Sequence, residues 1–139
     1  MKRMLAFLFV LVVAFASFAC AGGAVTAKVD YSAEKETVIA VSEADGKATL
    51  IDAMKELKAD EKLSFESSTS TYGEFITAVG GVEAGATDFW AIYTTDTENA
   101  NTDISVTVDG RTYYQAMLGA SSLVVKKGER YLLRLESWA

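Results

Sequence analysis

Phe89, Trp90, Ile92 and Tyr93 fall within the segment DFWAIY of the sequence. Aromatic rings this close together can stack on a flat ligand, and a tyrosine adds a hydroxyl to the apolar face it offers. Tyr72 and Tyr114 stand near expected turns or strand ends, and Trp138 lies in the final run YLLRLESW. Tyr72, Trp90, Tyr93, Tyr114 and Trp138 form the candidate ligand-binding group. Taken singly, each ring is better explained by core or sheet packing, and the binding reading rests on the group. Strand alternation sends Phe89, Ala91 and Tyr93 to one side and Trp90 and Ile92 to the other. In the last run, Tyr131, Leu133 and Leu135 share a face, and Leu132, Arg134, Glu136 and Trp138 share the opposite one. That second face carries two charges, so Trp138 either presents a wet binding surface or folds back over the sheet edge.

Other chemistries find less support. The chain has no histidine, which removes the usual general base and the commonest zinc ligand. The loop DTENANTD offers oxygens at Asp96, Glu98, Asn99, Asn101 and Asp103. Counted from Asp96, the sixth and twelfth places of a calcium loop hold Asn101 and Thr107 instead of glycine and glutamate. In VGGVEAGATD the glycines are followed by a strand, whereas phosphate cradling needs a helix N-terminus there. No motif pairs two carboxylates, so no catalytic residue is assigned and no cofactor is required.

Lys2 and Arg3 precede the apolar run MLAFLFVLVVAFA, which is short for a bilayer span and is followed by small residues at Ser17 and Ala19. This is the pattern of a secretory signal over residues 1–19. Cys20, the single cysteine, follows at once, and SFAC-AGG resembles a bacterial lipoprotein processing site. Lipidation of Cys20 is expected; ordinary cleavage would instead give a freely secreted protein. The whole chain has 13 basic and 19 acidic residues, a net of −6, and loss of Lys2 and Arg3 leaves 11 against 19, or −8. Such a surface disfavours nucleic acid and anionic lipid, so membrane association is expected only through the anchor.

The elements that must position the candidate group follow from local pattern. Residues 20–36 read as a tether and linker, and residues 37–139 as one domain. TVIAVS is β-rich and leads into an Asp-Gly turn. In TLIDAMKELKAD, Leu50, Ala53, Met54 and Leu57 recur at helical spacing, with Thr49 as cap and Asp52 three residues on. KLSFES, EFITAV and DFWAIYTT read as strands, and ISVTVDG with RTYYQAM as a hairpin around Asp109-Gly110. SSLVV, a Lys-Lys-Gly turn and RYLLRLESW close the domain. One early helix followed by short strands predicts an α+β fold, with that helix packed on a mixed sheet.

ATLIDAMKEL, YGEFITAVGGVEA, DFWAIY and LGASSLVVKKGERYLLRLESW, in this order, resemble the transcobalamin-like C-terminal domain family, small modules of bacterial surface proteins. The resemblance implies a β-grasp fold and binding of cobalamin or another corrinoid as an accessory to uptake. Without histidine, the cobalt would gain no imidazole ligand from this chain. Capture would be weak alone or shared with a partner chain that encloses the ligand. The alternative is a surface module that binds another protein through a sheet edge or aromatic patch, and a calcium-stabilised structural module is a third.

Overall fold

The computed structural model describes residues 24–71 and 73–137. Cys20, the signal segment, Tyr72 and Trp138 lie outside the described residues. The elements run β1 (Val25–Ala33), β2 (Glu36–Ala44), α1 (Leu50–Ala59), β3 (Phe65–Ser70), β4 (Gly73–Val79) and β5 (Val82–Glu83). They continue with β6 (Asp88–Thr94), a 3-10 turn (Thr97–Asn99), β7 (Ala100–Val108), β8 (Arg111–Ala116) and β9 (Arg130–Ser137).

The mixed sheet expected for a β-grasp-like α+β fold is not what forms. The described chain is mainly β, with six strands in the order β1-β2-β9-β6-β8-β7 and a second sheet of β3-β4-β5. Every pairing is antiparallel. The physical reason lies in β9, which inserts between β2 and β6 and runs opposite to both, so no parallel pair arises among the described residues. A single ten-residue helix cannot cover six strands, and the small sheet covers what the helix leaves open.

Both faces of the main sheet carry apolar clusters. On one face Ile39, Val41, Trp90, Tyr131 and Leu133 meet the helix residues Leu50, Ile51, Met54 and Leu57, together with Phe65, Ile76 and Val79 of the small sheet. Full burial of each large aliphatic side chain contributes roughly 1.5–3 kcal/mol, which outweighs the marginal stability of an isolated ten-residue helix. The opposite face holds Val38, Ala91, Tyr93 and Leu132, and the β7–β8 hairpin adds Val108 and Tyr113. The side-chain alternation expected in β6 and β9 holds over the described residues.

The helix begins where its capping residues predict. Asp52 Oδ2 accepts the Thr49 N–H at 2.9 Å. The next two N–H groups, of Leu50 and Ile51, donate to Leu123 O and Ala120 O, so residues 120–123 satisfy donors that a helix start leaves over. SSLVV therefore forms only an isolated bridge, Thr49 to Val124, instead of a strand. The hairpin turns at Asp109 and Gly110, both with positive φ, as a two-residue turn of matching twist requires.

The stretch 25–33, expected as linker, is strand β1. Its sequence VTAKVDYSA alternates apolar and polar residues throughout, as a strand requires, and two register irregularities, at Thr26/Ala27 and Val29/Tyr31, mark its pairing with β2. Asp45 fastens its start, accepting N–H bonds from Ala24, Lys47 and Ala48. Those donors, that of Ala24 foremost, hold the Asp45 carboxyl down at about 2.

Candidate functional site: a groove between the two sheets

Phe75, Met117, Leu118 and Ile104 are the large apolar side chains that stand exposed among the described residues, at 52%, 61%, 43% and 41%. Three of the four surround one groove. Its walls are β4 and the segment after β8, and its floor includes Trp90 and Ile92. The volume is about 300 Å³, at the lower end of ligand sites. Such a clustering of exposed apolar groups is the usual mark of a contact surface.

Each wall is held in place by polar contacts from another element. Glu74 accepts Lys55 Nζ of the helix at 2.7 Å and Ser67 Oγ of β3 at 2.9 Å. The Lys55 ammonium, then the Ser67 hydroxyl, keep the Glu74 carboxyl below its ordinary range. The Glu74 N–H donates to Ser121 Oγ at 3.2 Å, which ties β4 to the segment carrying Met117 and Leu118. Trp90 Nε1 donates to Val82 O at 3.1 Å and fastens the small sheet to the floor.

Gly73 makes the approach of β4 to Ser121 feasible. Its φ is +106, and a Cβ there would lie 2.2 Å from Ser121 Oγ. Gly73→Ala is therefore expected to cost about 2 kcal/mol of stability through backbone strain and the clash. Urea unfolding measures it, and the same exchange made in Ser121→Gly, which already lacks the Oγ and its bond to the Glu74 N–H, should cost less by the clash component and leave the strain.

The candidate residues within the described structure are not gathered on one surface. Trp90 is buried on the groove side, with only its margin reaching the floor. Tyr93 is buried on the opposite face, where its hydroxyl donates to Glu136 Oε2 at 2.5 Å. Tyr114 is half-buried on β8, paired with Thr94 and Ser105. Phe75, Met117 and Leu118 were not among the candidates. The signal available was an apolar Met-Leu pair directly before Gly119, in a segment with no strand alternation.

The face beyond the sheet is occupied by ion pairs. Arg134 Nε lies 3.4 Å from Glu36 and its Nη1 3.5 Å from Glu136, while Arg130 pairs with Asp30. Burial, then the Glu136 carboxylate, push the Tyr93 phenol up to about 12, and burial does the same to Tyr131. Raised phenol values mean that the stability these groups contribute is full below their ordinary value near 10.0 and is lost as pH rises toward 12. Alkaline unfolding monitored by phenolate absorbance should show these two tyrosines ionising only with the loss of the fold.

In the 96–103 segment Asp96 is buried, while Glu98 and Asp103 stay exposed. Asp96 accepts from Asn99 Nδ2, Glu98 N–H and Lys126 Nζ, and Asn101 Oδ1 accepts the Asp103 N–H. Among the described residues no three acidic side chains converge as a metal site. Compared with known proteins, the chain matches no family model and no curated sequence.

Proposed function

We propose that this chain is an exported, non-catalytic binding module, tethered through Cys20, and that the groove between β4 and β6 is its ligand site. The observation that carries this is the convergence of Phe75, Met117 and Leu118, exposed together around a floor of Trp90 and Ile92. Glu74, the charged side chain at the groove, is engaged by Lys55 and Ser67, which suits it to holding a wall and not to moving a proton. A corrinoid, the ligand implied by the family resemblance, would enter a space of about 300 Å³ only with one margin of its ring. Its remaining surface would need a partner chain.

Titration of tryptophan emission with cobinamide and with a neutral apolar fluorophore tests the proposal. Saturable binding is expected, weakened roughly tenfold or more by Met117→Glu, because a carboxylate in an apolar contact must be desolvated. Equal binding by that variant would place the site elsewhere, and no binding by wild type at millimolar ligand would overturn the reading of the groove as a site for these ligands.

A further inference from the structure

Two strands come to the groove with part of their length unpaired. β6 is matched by β9 from Asp88 to Thr94, but by β8 only at Tyr93 and Thr94. β4 is matched by β3 at every residue but Thr77, where the register shifts, and by β5 only at Ala78 and Val79. The Thr95 N–H bonds to Arg130 O, which sets the alternation along β6: residues 91, 93 and 95 address β9, and Trp90 and Ile92 address the other side. The main-chain N–H and C=O of Trp90 thus point into the groove, on the side where no strand is laddered to β6 before Tyr93.

The outer edges are treated differently. β1 carries two register irregularities and β7 carries one of several residues, between Asn101 and Ser105. Such bulges blunt an edge against strand addition. The β6–β9 register is unbroken, and the β6 segment along the groove remains regular and flanked by apolar side chains.

Resting on the reading of the groove as the ligand site, we propose that its occupant is an extended, basic polypeptide segment of another protein, added as a strand on the bare edge of β6. Main-chain bonds to Trp90 supply the attachment, and alternate side chains of the segment pack on Met117, Leu118 and Phe75. Charge selects its composition. Glu74 in the groove lining is already paired with Lys55, so the selection comes from Asp88 at the start of β6 and from the exported chain's 11 basic against 19 acidic residues, a net of −8. A segment bearing lysine or arginine is favoured over an acidic one.

The test uses the peptide acetyl-Lys-Val-Thr-Val-Thr-Lys-amide and two analogues N-methylated on alternate residues, one for each edge of the strand. Amide resonances of Trp90 and Ile92 should move saturably with the parent peptide. One N-methylated analogue should bind roughly tenfold or more weakly, since it leaves desolvated main-chain groups unpaired, while the other should retain binding. Exchange of both lysines for glutamates should weaken it as well. Equal binding of both N-methylated analogues, or movement only at other amides, would overturn the proposal. If indole shifts these amides and the peptide does not, the groove remains a site for small apolar ligands and the strand proposal fails. If neither shifts them, the groove reading fails with it.

Discussion

Trp90→Ala is expected to destabilise the fold by about 3–5 kcal/mol, the usual cost of emptying a large aromatic site in a packed core. Trp90 is 5% exposed, and its indole N–H reaches Val82 O. Its removal therefore opens a cavity and also detaches the small sheet from β6. Domains of this size have total stabilities of about 5–15 kcal/mol, so the variant should lie near the unfolding threshold at room temperature. Chemical denaturation would show a much lower midpoint. Trp90→Phe keeps most of the volume and loses the indole bond, so its cost should be less than half as large. Equal costs for the two variants would mean that the hydrogen bond, and not packing, holds the sheets together.

Asp96→Ala should have the second-largest effect, about 3 kcal/mol, because a buried carboxylate disappears and leaves its donors unpaired. Asp96 is 2% exposed and joins the turn after β6 to Lys126, which precedes β9. Burial raises its pKa, but the Asn99 amide, Lys126 ammonium and Glu98 N–H together outweigh burial and bring it below the ordinary 3.8. A lowered carboxylate contributes stability that is fully present above 3.8 and is lost as pH falls through the folded value. Wild type should thus lose stability along an acid limb that is shallower in Asp96→Asn. Parallel acid limbs would show that Asp96 titrates alike in both states. Asp45, held at about 2, steepens the same limb in both proteins and cancels in the comparison.

Much of the local structure can be read from single segments, because it is specified by neighbours in sequence. Leu50, Met54 and Leu57 state the buried helix face, and Asp52 marks the helix start. Asp109-Gly110 forces the hairpin through its two positive φ angles. The pairing order is less legible, because it depends on contacts between distant segments: β9 at the end of the domain lies between β6 and β2, and its pairing with β2 spans most of the chain. Strand β1 is legible after all in VTAKVDYSA, whose apolar and polar residues alternate through the whole strand; its reading as a linker misses that period.

The site follows the same division. Trp90 is visible as a candidate within DFWAIY, but Phe75, Met117 and Leu118 become a group only when β4 and the segment after β8 are brought together. That happens through the Glu74 bond to Ser121 and the tie of residues 120–123 to the helix start. Tyr93 matches Trp90 in type and neighbourhood, yet strand alternation places it behind the sheet, where Glu136 occupies its hydroxyl.

The methionine methyl groups offer the sharpest view of the groove. Met117 stands on its rim at 61% exposure, and Met54 is wholly buried on the inner face of the helix as an internal control. Titrating methyl-labelled protein with a ligand that saturates tryptophan emission should move the Met117 methyl resonance with the same midpoint and leave Met54 in place. Saturation of the emission with Met117 unmoved would show that the ligand binds away from the groove.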